Sequence, residues 1–375
     1  MPAQRASART VVVGAGTVGA FVAYGLARRG EEVLLLERKE PGLEAAGLNA
    51  GTLAVQNKLL SLIPLAMRGV ELWQDFERQT RRDLHTVRCG GFRVAHTTVG
   101  GERLEREAEQ QRRLGLEVEH LSGEEARARA PYLAGTVRAA NWCPLDGHNN
   151  ALTAVKQVVQ EAEALGARVQ SRSEVLSIER EAGRWRLVTP GGSVGADRMV
   201  LAAGLWSRTL AERIGLRLQL EVHNNQMIVT ERLPRLIDHV ITHVTGRLTL
   251  KQKGEGTVLI GGGWPGHHDL EHNLKWPALP SLIGNARLAT ATVPSLEDVH
   301  VLRTWAGLDG RTRSQHPLIG PVAGRRGLYL ATSFRAAYTL GPAVGEGIAE
   351  WIVTGEPPEL LAPFAEETRR LVASA

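Results

Sequence analysis

Cysteine, lysine and long apolar runs are scarce in this 375-residue chain, and each scarcity excludes a class of protein. Two cysteines, Cys89 and Cys143, cannot build a disulfide framework, and no CxxC spacing offers a metal site. They read as reduced thiols in a cytoplasmic protein. Lysine stands only at 39, 58, 156, 251, 253 and 275, so the formal charge of +5 rests on arginines scattered among acids. That is a solvated surface and not a nucleic-acid footprint. The longest apolar runs, VVV at 11–13 and VLLL at 33–36, are too short to span a bilayer, and the first ten residues lack the apolar core of a signal peptide.

Hydrophobic residues make up 43% of the chain, enough at this length for two domains. The 41 glycines show no collagen period, so they mark turns and close backbone approaches.

Residues 10–37, TVVVGAGTVGAFVAYGLARRGEEVLLLE, read as strand, glycine turn, helix and strand. Gly14, Gly16 and Gly19 form GxGxxG: a tight turn, an approach for a pyrophosphate and a helix–strand contact. The helix start at Thr17 and Val18 offers free N–H groups to phosphates. Glu37 closes the second strand, placed for ribose hydroxyls, with Arg38 beside it. An acid at this position disfavours a 2′-phosphate and leaves FAD or NAD.

Three later segments select FAD. They are GLNAGTLAVQ at 47–56, the strand RMVLAAGLW at 198–206, and GLYLATSFRAAYTLGPAVGEG at 327–347. With the glycine turn, and in this order, they resemble the flavin-dependent amine and amino-acid oxidoreductases of the D-amino-acid oxidase superfamily, which includes glycine and sarcosine oxidases and the flavin subunits of opine and proline dehydrogenases. The resemblance covers nearly the whole chain. It implies an α/β protein with a Rossmann-like FAD-binding domain and a second α+β substrate domain built on an antiparallel sheet. The cofactor domain would take 1–80, 146–220 and 300–375, and the substrate domain 81–145 and 221–299. ALTAVKQVVQEAEAL at 151–165 supports this division, with Leu152, Val155, Val159, Ala162 and Leu165 on one helical face. The alternating strands of 221–264 support it too. The charged segment 102–114 reads as an exposed helix.

By the same resemblance, Asn49, Ala50 and Gly51 lie against the flavin ring, and Val175 meets adenine from a strand over 168–179. Ala203, Gly204 and Trp206 lie under the pyrophosphate side. Gly307 and the closing stretch 333–340, with Arg335, Ala336, Ala337, Tyr338, Thr339 and Leu340, reach the flavin pyrimidine. FAD would be held non-covalently, since 45–51 lacks an attaching histidine and no cysteine lies near 310–320.

The implied reaction is oxidation of the C–N bond of an amino or N-substituted amino acid, with hydride passing from Cα to flavin N5 and hydrolysis of the imine. The electrons would go to partner subunits, or alternatively to oxygen; a flavin-carrying relay subunit is a third reading. Arg335 is the expected carboxylate anchor. In RTWAGLD, Asp309 replaces the arginine of the glycine-oxidase stretch WAGLRP, so carboxylate binding falls to Arg335, Arg311 or Arg313, or Asp309 meets a basic group on the substrate. Lys251 resembles the sarcosine-oxidase lysine that helps oxygen react, against the alternative of a solvated strand residue sharing a face with Lys253. Tyr338 and His243 are further pocket candidates. His267, His268 and His272 lack a second ligand pair, and no metal is expected.

Overall fold

A computed structural model describes residues 6–332 and 335–374. Ser333 and Phe334, part of the expected flavin-facing stretch, lie outside the described residues.

Among the described residues, eight strands form the first sheet, in the order Leu318–Pro321, Leu328–Thr332, Gly192–Leu201, Ala6–Val13, Val33–Leu36 and Arg168–Gln170, with the hairpin Ser177–Glu181 and Arg184–Thr189 branching from Gly192–Leu201. From Leu328–Thr332 to Arg168–Gln170 every pairing is parallel. Parallel strands covered on both faces need unbroken apolar runs, and Val33–Leu36 is buried at every residue.

Thr17–Arg28 packs over one face of this sheet against Ala337–Thr354 and Ala151–Ala164. Contact with Ala337–Thr354 is close because Gly345 has no Cβ: one built there would lie 2.8 Å from the Val22 nitrogen. The expected stripe on the helix at 151–164 is rotated. Leu152 and Leu165 are exposed, while Ala151, Ala154 and Val158 join Val155, Val159 and Ala162 in the core. Small residues let that face approach its neighbours, an advantage that hydrophobicity counting misses.

The second sheet also has eight described strands, in the order Val301–Arg311, Glu221–Arg232, Thr257–Gly261, Thr249–Gln252, Val240–His243, Gly91–Ala95, Ala139–Cys143 and Glu119–Ser122. It is antiparallel except where Val240–His243 runs parallel to Gly91–Ala95. Its apolar face packs under Leu279–Thr292, where Ala289 and Val293 join Phe92, Ile241 and Leu250 in the core.

Val301–Arg311, expected in the cofactor domain, pairs along Glu221–Arg232 in the second sheet. Val175 lies in the connection between Arg168–Gln170 and Ser177–Glu181, not in a strand. The helix expected at 102–114 is Thr98–Arg113, and it buries Leu104, Ala108 and Gln111 despite its charge. Cys89 and Cys143 are free thiols.

Candidate active site

A cleft of about 450 Å³ runs between the two sheets, from Glu37, Val175 and Arg213 at one end to Lys58, Arg93 and Arg335 at the other. Its first wall is the glycine turn. Gly14 has φ +104°, and a Cβ there would lie 2.7 Å from the Ala202 carbonyl oxygen. A Cβ on Gly19 would lie 1.8 Å from the Gly14 oxygen, so Gly19 closes the turn and does not line the cleft. Gly16 does line it, and a Cβ there would meet only Ala46 Cβ at 4.0 Å. The open side of Gly16, at the start of Thr17–Arg28, is where a pyrophosphate can approach backbone N–H groups.

Glu37 is pinned for its task. Ala15 N–H donates to Oε2 at 2.8 Å and Lys39 N–H to Oε1 at 2.9 Å, leaving each oxygen a lone pair for a ribose hydroxyl. The Arg38 guanidinium lies 3.7 Å from the centre of the Trp206 ring and bonds Glu44 at 2.9 Å. Burial acts to raise the Glu44 carboxyl, but hydrogen bonds from Lys275, Lys39 and Asn273 outweigh it and hold the group down to about 2. Ala203, Gly204 and Trp206 all line the cleft. The open side of Gly16, the pinned Glu37 carboxylate and the lining Ala203, Gly204 and Trp206 match what an FAD dinucleotide needs.

Toward the other end, Thr17, Val18, Ala50, Thr52, Gly307, Ala336, Ala337 and Thr339 line the wall. Three expected contacts differ. The Asn49 residue lines the cleft, but its side chain turns back on its own loop, donating to Ala45 and Ala46 oxygens at 3.0 and 2.7 Å and accepting from Gly51 N–H at 2.6 Å. Gly51 packs against Asn149, whose carbonyl oxygen would lie 2.4 Å from an added Cβ. Leu340 is fully buried in the core.

Arg335 lines the cleft. Its Nη1 donates to Gln315 Oε1 at 3.2 Å, its backbone N–H to the Gln315 carbonyl at 3.4 Å, and no carboxylate pairs with it among the described residues. Next to it Ala336 holds φ 62° and starts the helix Ala337–Thr354, so backbone strain sits at the cleft wall. Tyr338 lines the cleft, its hydroxyl donating to Asn149 Oδ1 and its ring packing on Trp73.

Asp309 lines the cleft but bonds Arg311 at 2.8 Å. Burial pushes its carboxyl up, against the pull of Arg311, His223 and Arg335. It therefore meets a basic group of the protein itself, and Arg311 is occupied too. Arg313 is exposed and outside the cleft. Of the candidate anchors, Arg335 alone is both in the cleft and free of a carboxylate partner among the described residues.

Lys251 is not a solvated strand residue. It is 1% exposed, and Nζ donates to Thr52 Oγ1 at 3.1 Å, one residue behind the cleft lining. Burial, reinforced by Lys253, drives its amine well below the usual lysine range. His243 lines the cleft with Nδ1 accepting from Thr245 N–H at 3.2 Å, and burial lowers it to about 4. His272 pairs with Asp269 on an exposed hairpin.

Sequence reading passed over Lys58, Asn57 and Arg93. Asn57 and Lys58 extend the segment GLNAGTLAVQ by two residues. Arg93 is a buried polar residue in the apolar strand Gly91–Ala95, a pattern that marks a residue held for a purpose. Arg93 bonds Glu107 and the Gln56 carbonyl oxygen.

Comparison with known proteins points to the same cofactor. Glycine oxidase from Geobacillus kaustophilus is 26% identical over 94% of this chain and 95% of its own length. Human dimethylglycine dehydrogenase is 26% identical over 94% of this chain and 43% of its own, so the chain spans less than half of that longer protein. The structure of L-proline dehydrogenase from P. horikoshii superposes with a TM-score of 0.90 at 25% identity, covering 98% of both chains. Residues 9–351 match the DAO family, FAD dependent oxidoreductase, and the chain belongs to that family, with FAD as its cofactor.

Proposed function

We propose that this oxidoreductase oxidises the C–N bond of an amino or N-substituted amino acid, with Arg335 as carboxylate anchor. The observation that carries this reading is a cleft-lining guanidinium positioned by Gln315 and free of any carboxylate partner among the described residues. A guanidinium accepts a carboxylate through two parallel hydrogen bonds, which fixes the direction of the substrate Cα–H. Lys58 and Arg335, neither paired with a carboxylate among the described residues, make the substrate end electropositive, which disfavours an ammonium group and favours the neutral amine that oxidation needs. The Gly14–Val18 turn, Glu37 and Trp206 would hold FAD non-covalently, and the flavin would supply the acceptor for a hydride from Cα. The resulting imine is hydrolysed by water.

The domain division follows the two sheets, with Val301–Arg311 assigned to the substrate side. Electrons pass to a partner subunit or carrier in preference to oxygen. A fixed positive charge would stabilise developing superoxide, and burial of Lys251 favours its neutral amine instead. No helix among the described residues is long and apolar enough to cross a membrane.

The test uses the FAD-loaded enzyme without air. Proline, sarcosine, glycine, D-amino acids and opines are offered while flavin absorbance is followed. At least one should bleach the flavin, and Arg335→Ala should slow that bleaching about a hundredfold or more while retaining FAD. No bleaching by any amine rejects the reading and favours a relay subunit, whereas unchanged bleaching in the variant rejects Arg335 as the carboxylate anchor. Reoxidation over minutes on admitting air supports the dehydrogenase; reoxidation within seconds supports the oxidase.

A further inference from the structure

The charges at the substrate end do not balance. Arg93 and Arg311 are neutralised by Glu107 and Asp309. Arg335 and Lys58 are left, both lining the cleft and neither within salt-bridge distance of a carboxylate among the described residues. Lys58 donates to Asn57 Oδ1 at 2.5 Å, which uses one of the three donors of an ammonium. Arg335 uses one side-chain donor of five, on Gln315. The anion acting on Lys58 is Asp146, which accepts from Val55 N–H and Gln56 Nε2 and makes no salt bridge with the lysine.

Two cations with spare donors in one partly dry cleft repel each other unless a ligand brings acceptors to both. A simple amino acid brings one carboxylate, which Arg335 takes, and leaves Lys58 uncompensated. Resting on the reading above, we propose that the substrate is an amino diacid whose second carboxylate is seated on Lys58. An N-(carboxyalkyl) amino acid or an acidic amino acid meets this description. Burial first, then Arg335 and Arg93, depress the Lys58 ammonium, and a carboxylate seated there offsets the share due to the two arginines.

Two matched pairs test the idea on the FAD-loaded enzyme. Iminodiacetate and sarcosine share one secondary amine and differ by carboxymethyl against methyl, so their anaerobic flavin-reduction rates compare the second carboxylate directly. Diglycolate and methoxyacetate replace the amine by an ether oxygen. They cannot be oxidised this way, so their dissociation constants, read from perturbation of the flavin spectrum, report binding alone.

The diacid of each pair should be favoured about tenfold or more, as expected for a charge-assisted hydrogen bond. Lys58→Met should reduce both preferences to within about threefold, and Lys58→Arg, which keeps the charge, should retain them. The proposal falls if the monoacids are favoured. It also falls if the preference survives Lys58→Met, or if that variant weakens both members of a pair equally, as it would if Lys58 served the flavin. A diglycolate preference without bleaching by any amine would overturn the C–N oxidation reading and leave the second anion site standing.

Discussion

The indole Nε1 of Trp73 donates to the carbonyl oxygen of Tyr338 at 2.9 Å, standing in for a hydrogen bond that the helix cannot make. Pro342 lies four residues beyond Tyr338 inside Ala337–Thr354 and has no N–H for that carbonyl. The helix start that lines the cleft is thus completed from Ile63–Thr80. Trp73→Phe keeps an aromatic ring but strands a buried acceptor. It should cost about 1–3 kcal/mol, read as a lower denaturation midpoint. Unchanged stability would mean that water replaces the indole.

Gly16 and Gly19 should separate cofactor binding from folding. Gly19→Ala places a Cβ 1.8 Å from the Gly14 oxygen and should destabilise the apoprotein as well as weaken FAD binding. Gly16→Ala meets only Ala46 at 4.0 Å, so the apoprotein should unfold as the wild type does while FAD affinity drops about tenfold or more. Flavin fluorescence during titration reads the second effect. Equal losses of stability in both variants would contradict an open phosphate seat at Gly16.

Lys251→Met should stabilise the protein. The lysine is fully enclosed and bonded to Thr52, and an apolar chain of similar length removes the cost of its amine. A rise in Tm of a few degrees is expected. If Lys251 carries the charge that oxygen needs, the same variant will also slow flavin reoxidation in air, and an unchanged rate excludes that role.

Stability should climb with alkaline pH in a way that Lys58→Met removes. Burial first, then Arg335 and Arg93, lower the Lys58 amine from an ordinary 10.5 to about 7, with Asp146 opposing. Between those values the unfolded chain holds a proton that the folded chain has released, so stability rises with pH. Below pH 7 both states are protonated and the full cost of the buried charge stands. Denaturation of wild type and variant at about pH 6 and about pH 9 should show a smaller gain for the variant. The grip on a second carboxylate should weaken over the same window.

The cofactor half of the site was legible because its signals are local. The strand, turn, helix and acid of residues 10–37 are consecutive, and each residue type meets a backbone demand visible in the sequence. The substrate half was not. Lys58 and Arg335 are far apart in sequence and come together only through the fold, and the Arg311 partner that occupies Asp309 is a same-face strand neighbour, two residues on, that the sequence could suggest but not fix. The stripe on Ala151–Ala164 was misjudged because Leu152 and Leu165 look buried to any hydrophobicity scale, while packing selected the alanines. The Asn49 side chain satisfies its own turn, a competition between local backbone and ligand that residue type alone does not decide.

The strand Val301–Arg311 closes the second sheet, yet it also leans on the first half of the molecule. A Cβ on Gly310 would lie 2.8 Å from Leu205 Cα, and one on Gly307 would lie 3.1 Å from Leu48 Cβ. It serves as a strut shared by the nucleotide seat and the substrate wall. A jaw-like opening between the halves would pull this strut from Leu48 and Leu205, disturbing the surfaces that grip FAD. Those two close contacts set a cost on moving the sheets apart, so substrate exchange that spares the cofactor is expected through side chains and short loops at the Lys58–Arg335 end.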